Sequence, residues 1–487
     1  MAESYIISID QSTQGTKALL FDQDGMLFQR KDLPHKQIIN EKGWVSHDPE
    51  EIYQNTVQVV KNLVEASGIS TESVKGIGIS NQRETSLVWE KETGKAIAHA
   101  VVWQCARAAE ICRRVEKTGA AEMIRKKTGL ALSPYFPASK LAWLKENVEG
   151  AEALAKKHAL CFGTIDTWLV YRMTHGTSYK TDYSNASRTQ LFDIFEQRWD
   201  EEICQLFGLD AQDLAEVCDS DSCFGETDLD GFFEKPVPIH SVLGDSHGAL
   251  FGQGCLEKGM IKSTYGTGSS IMMNIGETPV LSTHGVVTSL AWGMQGKINY
   301  VLEGNINYTG AVITWLKDDM ELIQSPAETE ELCRKAEADD SLYFVPAFTG
   351  LGAPYWNSEA KGALIGITRT TRKAEMVCAG VECIAYQIAD VVNAMSQDAK
   401  TEIQELRVDG GPTRNQYLMQ FQSDILNRKV LVPDAEELSG IGAAYAAGRG
   451  LGLYGDEVFT RLKRQEYAPK MCEEIRVRSE ERRVGKE

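Results

Sequence analysis

The sequence predicts an α/β fold built from two related domains, and three observations carry that expectation. Two turns rich in Gly and hydroxyls, each between β-prone runs, lie about half a chain apart in the 487 residues. Strand-like and helix-like patterns alternate around them, as in α/β rather than all-α proteins. A further glycine-bearing junction between a strand and a helix follows late in the chain.

The first turn, Ser12-Thr13-Gln14-Gly15, separates Ile6-Ile7-Ser8-Ile9-Asp10 from Thr16-Lys17-Ala18-Leu19-Leu20-Phe21. The second, Gly266-Thr267-Gly268, separates Met260-Ile261-Lys262-Ser263-Thr264-Tyr265 from Ser269-Ser270-Ile271-Met272-Met273. Such turns cluster free N–H groups and hydroxyl donors, which suits a phosphate chain, and glycine lets the backbone approach the anion closely. Either hairpin alone reads equally as a surface turn. The pair suggests two domains closing on one nucleotide from opposite sides. Asp10 strengthens the first, because a carboxylate ending an apolar strand can hold Mg²⁺ beside phosphate.

Between the turns, Val57, Val60, Leu63 and Val64 fit one helical face within residues 50–64. Val74-Lys75-Gly76-Ile77-Gly78-Ile79-Ser80 reads as a buried strand. It delivers Asn81-Gln82-Arg83-Glu84-Thr85 at its C-terminal end, where open α/β sheets place ligand contacts. The best domain boundary lies near Phe251-Gly252-Gln253-Gly254, giving domains 1–251 and 252–477. Downstream, residues 311–316 look helical and residues 375–395 read as a core helix. The late junction, Val408-Asp409-Gly410-Gly411-Pro412, leaves room for adenine or phosphate near a helix N-terminus. The small-residue run from Gly440 to Gly448 reads as close helix packing.

Bulk properties narrow the partners. A net charge of −18 argues against nucleic acid or an anionic membrane surface. No apolar run approaches the ~20 residues of a membrane span. The 11 cysteines form no CxxC pair, against zinc and thioredoxin-like readings. Met1-Ala2-Glu3-Ser4 leads straight into a strand, so the expected location is the reducing cytoplasm. Residues 478–487 look like a non-native tail, with a charged natural tail as the alternative.

Phosphoryl transfer to a hydroxyl needs a carboxylate to accept the proton, with metal and N–H groups around the phosphate. Asp245, in Gly244-Asp245-Ser246-His247-Gly248 after the strand-like Ile239-His240-Ser241-Val242-Leu243, suits the first role, although an Asp before a helix also reads as an N-cap. The neighbouring His247 reads as structural. Arg83 and Glu84 can grip vicinal hydroxyls between donors and acceptors, or form a weak surface pair. Trp103 and Tyr135 offer aromatic walls, or simply core.

From about Tyr5 to the start of the tail, the chain resembles the FGGY carbohydrate kinases. The carriers in the first half are Asn81-Gln82-Arg83-Glu84-Thr85, Val102-Trp103-Gln104-Cys105, Pro134-Tyr135-Phe136, Phe162-Gly163-Thr164-Ile165-Asp166-Thr167-Trp168-Leu169 and Thr181-Asp182-Tyr183-Ser184-Asn185-Ala186-Ser187-Arg188-Thr189. In the second half they are Thr264-Tyr265-Gly266-Thr267-Gly268, the run from Pro346 to Trp356, and Asp409-Gly410-Gly411. The resemblance implies two actin-like (ribonuclease H-like) domains around a central catalytic cleft. It implies ATP-dependent phosphorylation of glycerol to sn-glycerol 3-phosphate with Asp245 as general base. Arg83, Glu84, Trp103, Tyr135, Asp245 and Ser246 would meet the polyol. Thr13, Gln14, Thr267, Gly310, Gly411 and Asn415 would line the ATP site, with Asp10 beside Mg²⁺. A homo-oligomer, dimer or tetramer, is also implied.

Three departures from the family stand out. Ser246-His247 replaces Gln-Gln after the catalytic Asp, Ser270 replaces a Phe that walls the polyol pocket, and Ser12 replaces a Gly in the first turn. The two pocket serines remove volume and add hydroxyls, so a tetritol or pentitol kinase is the alternative reading. A non-catalytic ATP-binding module is a second one. The stretch from Asp230 to Pro236 lacks the Gly/Arg pattern with which some relatives bind a sugar bisphosphate, so no such control is expected.

Overall fold

The computed structural model describes residues 4–337 and 342–477, so the suspected tail at 478–487 lies outside the described residues. The first hairpin consists of β1 (Tyr5–Gln11) and β2 (Gly15–Phe21), continued by β3 (Leu27–Pro34). Helix α1 (Pro49–Ser67) starts where the Asp48 side chain accepts from the Glu50 N–H, with Pro49 in its first turn. It ends at Gly68 in the left-handed region, and Val57, Val60, Leu63 and Val64 are buried along it as their spacing predicts. Strands β4 (Val74–Asn81), β5 (Gly225–Thr227) and β6 (Val237–Gly244) complete a six-stranded sheet in the order β5-β6-β4-β1-β2-β3. Strands β1, β4 and β6 run parallel, while β1-β2-β3 is an antiparallel meander.

Helix α2 (Asp245–Gly252) leads from β6 towards the second sheet. That sheet contains β7 (Ile261–Tyr265), β8 (Ser269–Gly276), β9 (Val287–Met294), β10 (Lys297–Ile306), β11 (Glu405–Asp409), β12 (Lys429–Pro433) and β13 (Arg464–Tyr467). Their order is β9-β10-β8-β7-β11-β12-β13. The central hairpin β7-β8 is again antiparallel and is again flanked by parallel strands, β11 and β12. One topology is thus used twice, with a Gly/Thr turn at the tip of each hairpin.

The core helix read over 375–395 spans Lys373–Ala399, packing Val377, Val381, Ile384, Ile388 and Val391 into the second core. Residues 311–316 are helical, as Gly310–Thr314 passing into a π-turn at Trp315–Asp319. The small-residue run lies in α3 (Leu438–Gly450), which crosses from the second half of the sequence to the first sheet. There Leu438, Ile441 and Tyr445 share a core with Ile6, Leu19 and Phe21. A Cβ on Gly442 would stand 1.9 Å from the Gly248 carbonyl, and one on Gly252 would stand 2.3 Å from that of Leu438. Helices α2 and α3 therefore meet backbone to backbone. Among the described residues no helix is long and apolar enough to cross a membrane.

Candidate active site

Strand β4 ends by delivering Arg83 and Glu84 into the interior, where they are 5% and 3% exposed. Glu84 adopts φ 60 in a tight turn closed by the Thr85 N–H donating to the Arg83 carbonyl at 2.8 Å. A buried non-glycine residue in that region stores strain, and such residues cluster at functional sites. The two side chains do not mainly grip each other, since Arg83 Nε is 4.0 Å from Glu84 Oε1. Arg83 instead donates from both terminal nitrogens to Glu303 on β10, at 2.9 and 2.8 Å. Arg188 Nε donates to Glu84 at 2.7 Å, and Arg188 Nη1 lies 3.0 Å from Glu303. Arg83, Arg188, Glu84 and Glu303 form one buried, charge-balanced cluster spanning both halves of the chain. Burial opposes the charge on Glu303, yet Arg188 and Arg83 outweigh it and hold its carboxyl well below the usual range.

Asp245 opens α2 at the end of β6, and its carboxylate is 38% exposed. Arg83 Nε lies 3.2 Å from Asp245 Oδ1, so one guanidinium touches both the closed cluster and the open carboxylate. Ser270 on β8 donates to Ser246 at 3.4 Å, which brings the two departures from the family pattern together. His247 is fully buried, and burial, aided by Arg83, holds its pKa well below the ordinary value. It is therefore a neutral ring.

Tyr135 and Trp103 form an edge-to-face wall with centroids 5.7 Å apart. Trp103 Nε1 donates to Thr13 Oγ1 at 3.0 Å, tying that wall to the first turn. The turn closes through the Ser12 N–H donating to the Gly15 carbonyl at 2.8 Å, and the Ser12 hydroxyl donates to the same carbonyl at 3.0 Å. Ser12 is not among the residues with positive φ, so this turn accommodates a side chain where the family has glycine. Lys140 is fully buried and donates to the carbonyls of Pro134, at 2.8 Å, and of Tyr135. It anchors the segment that carries the tyrosine. Burial lowers its pKa to about 7 against the opposing pull of Glu84.

On the opposite side, the Gly310 N–H donates to the Gly266 carbonyl at 2.9 Å and the Thr309 N–H to that of Thr267 at 2.9 Å. Gly410, at φ 100, packs on Tyr265 so closely that a Cβ would stand 2.0 Å from its carbonyl. Gly411 faces open space. Asn415 caps the helix Gln416–Leu426 by accepting from the Leu418 N–H at 2.9 Å. Thr267, Gly310 and Gly411 thus cluster at the tip of the β7–β8 hairpin, with Asn415 at the next helix start. Thr13 and Gln14 belong to the other hairpin.

Asp10 is 6% exposed and accepts from Ser80 Oγ at 2.9 Å. Burial raises its pKa to about 6, although Lys17 opposes the shift. A buried carboxylate whose charge is poorly compensated fits a cation that takes one or two carboxylates and completes its shell with phosphate and water. Among the described residues no three His, Cys, Asp or Glu side chains gather as a protein-only metal cage.

Sequence reasoning missed Arg188, Glu303, Lys140 and Lys262. Arg188 stood within a quoted motif. Glu303 left a signal, a charge directly after the apolar Tyr300-Val301-Leu302 of its strand, whereas Lys262 lies in the mixed run Ile261-Lys262-Ser263-Thr264-Tyr265 and left none. Lys262 is fully buried and donates to Thr264 Oγ1 at 3.0 Å.

Comparisons agree with this architecture. Residues 5–252 match the model of the FGGY family of carbohydrate kinases, N-terminal domain, and residues 261–451 that of its C-terminal domain. Glycerol kinase 1 of Thermotoga maritima is 47% identical over 475 residues, covering 97% of this chain and 96% of that protein. Glycerol kinase of Staphylococcus haemolyticus is 44% identical, covering 98% and 96%. The crystal structure of Plasmodium falciparum glycerol kinase with ADP superposes with a TM-score of 0.93 at 33% identity, covering 99% and 97%. A gluconate kinase from Lactobacillus acidophilus, at 20% identity and a TM-score of 0.88 over 99% and 96% of the two chains, shares the fold.

Proposed function

Because the chain belongs to the FGGY family of carbohydrate kinases, we propose that it transfers the γ-phosphate of ATP to a terminal hydroxyl of glycerol, giving sn-glycerol 3-phosphate. The observation that carries this reading is the contact of Arg83 with Asp245 at 3.2 Å, beside the cluster that fixes Arg83. A half-exposed carboxylate next to a locked guanidinium can accept a hydroxyl proton while the guanidinium orients the same polyol. Identity of 47% and 44% to two glycerol kinases over almost the whole chain supports glycerol as the acceptor.

In this reading Asp245 takes the proton of the attacking hydroxyl. Arg83 donates to the polyol oxygens, Glu84 accepts from them, Tyr135 and Ser246 add hydrogen bonds, and Trp103 covers the carbons. Thr13 and Gln14 bind the phosphates from one side. Thr267, Gly310, Gly411 and Asn415 hold the nucleotide from the other. Asp10 would hold Mg²⁺, which when bound supplies neutralisation of the phosphate charge. The bond from Trp103 to Thr13 couples the polyol wall to the phosphate turn. The polyol is the partner, nucleic acid and membrane are not, and the protein works as a cytoplasmic homo-oligomer.

The test is ADP release with ATP, Mg²⁺ and glycerol, for the wild type and Asp245→Asn. Loss of a general base costs about 10²–10⁴-fold in kcat, while ADP binding persists. Full activity of the variant removes Asp245 from the mechanism.

A further inference from the structure

A chamber of about 800 Å³ lies next to this site, between the two halves of the chain. Tyr135 and Arg188 line it from the first half, and Glu303, Asn305, Asn307 and Trp356 from the second. Cavities of about 300–1,000 Å³ are the size that encloses whole small-molecule ligands, so a three-carbon polyol leaves most of this one unfilled.

The chamber and the Asp245 end of the site are linked by small or polar side chains. Ser246 follows Asp245, Ser270 donates to Ser246 at 3.4 Å, and Ser270 pairs directly across the sheet with Asn305. Directly opposed residues on paired strands share one face. Asn305 donates to Glu303 Oε1 at 3.0 Å, inside the charge cluster. A large side chain at position 270 would stand in this line, and a serine does not.

The wall has an unmet demand. Arg188 is 2% exposed, and its Nη1 has no hydrogen-bond acceptor although a Glu303 oxygen is 3.0 Å away. A ligand hydroxyl oxygen in the chamber can accept the hydrogen bond that this Nη1 does not make to the protein. The cluster holds two guanidinium groups and two carboxylates, and Asp245 adds a further negative charge, so the wall suits a neutral polyhydroxyl better than an acid. Trp356 and Phe136 supply apolar surface for carbons.

We infer that the chamber receives the far end of an acyclic polyol longer than three carbons, while its terminal hydroxyl faces Asp245. This rests on the kinase reading above and extends its substrate class to tetritols and pentitols. The chemistry is unchanged. The terminal hydroxyl oxygen bonds to the γ-phosphorus, the β–γ bridging P–O bond breaks with its electron pair leaving on ADP, and the hydroxyl proton goes to Asp245.

The experiment compares kcat/KM for erythritol, xylitol and ribitol with that for glycerol in the wild type, Ser270→Phe and Asn307→Phe. Asn307 is exposed, so its variant fills the chamber without disturbing a core even if Ser270→Phe folds poorly. The expected result is a longer polyol used within about tenfold of glycerol by the wild type. Both variants then lower the ratio of longer polyol to glycerol at least ~10-fold, the scale on which a pocket discriminates by a methylene or more. Turnover of glycerol alone by the wild type overturns this inference and leaves the glycerol kinase reading standing. Turnover of longer polyols with a ratio unmoved by either variant also overturns it. Silence with every acceptor, glycerol included, overturns both.

Discussion

Replacing Glu303 by glutamine changes almost no volume and removes one charge from the centre of the molecule. Its carboxylate accepts two bonds from Arg83 at 2.9 and 2.8 Å, one from Asn305 at 3.0 Å, and faces Arg188 at 3.0 Å. It is 0% exposed. Breaking a buried ion pair by removing one partner costs about 3–5 kcal/mol, because the other charge stays buried. Two compensations survive, Glu84 on Arg188 at 2.7 Å and Asp245 beside Arg83 at 3.2 Å. The expected loss is therefore at the lower end, about 3 kcal/mol. At about 2–4 °C per kcal/mol for a domain of this size, Tm falls by about 6–12 °C.

Calorimetry of wild type, Glu303→Gln, Arg188→Met and the double variant reads this out. A coupling of about 0.5–3 kcal/mol between the two positions is expected for residues sharing a network. The acid limb supplies a sign check. The folded carboxyl is held well below its ordinary 4.5, so its contribution is complete above that value and is lost as pH falls through the lowered one. The gap between wild type and variant must shrink in strong acid. A Tm within about 2 °C of wild type at neutral pH, against the ~6 °C minimum, refutes the view that this cluster is a structural keystone.

Three further outcomes follow from the same geometry. Lys140 has a folded pKa lowered from 10.5 to about 7, so its contribution is fully present above 10.5 and is lost as pH falls through 7. Wild-type stability should rise relative to Lys140→Met by up to ~1.4 kcal/mol per pH unit across that window, and chemical denaturation in a pH series shows whether it does. Gly442→Ala drives a methyl to within 1.9 Å of the Gly248 carbonyl; overpacking of about 1–3 kcal/mol or more should lower Tm, and a variant as stable as wild type removes the close helix contact from the account. Fructose 1,6-bisphosphate should leave the rate of ADP release unchanged, and inhibition would show that the loop from Asp230 to Pro236 is not where control resides.

Much of the fold was legible because its signals are local. Each Gly/Thr hairpin is a short run of β-prone residues broken by glycine and threonine, and α1 carries its own cap, proline and apolar stripe. Asp245 could be placed because a strand pattern ends just before it. What stayed hidden is the pairing of charges distant in sequence. Arg83 finds Glu303 across 220 positions and Glu84 finds Arg188 across 104. A lone Glu in an apolar strand announces that something must neutralise it, but not what. The run from Gly440 to Gly448 announced close packing in the same way, without naming α2 and the first sheet as its partners.

The meeting of α2 and α3 has a mechanical consequence. Most helix contacts interlock side chains, so any slide or tilt must break and remake rotamers. Here carbonyls of Gly248 and Leu438 rest directly on glycines of the facing helix, so backbone meets backbone at these two points. Such a surface behaves as a plain bearing. The first residue of α2 is Asp245, and α3 is the piece of the second half that lies on the first sheet. A small rotation at this pivot would swing the Asp245 carboxylate relative to the second hairpin turn while leaving both helices intact.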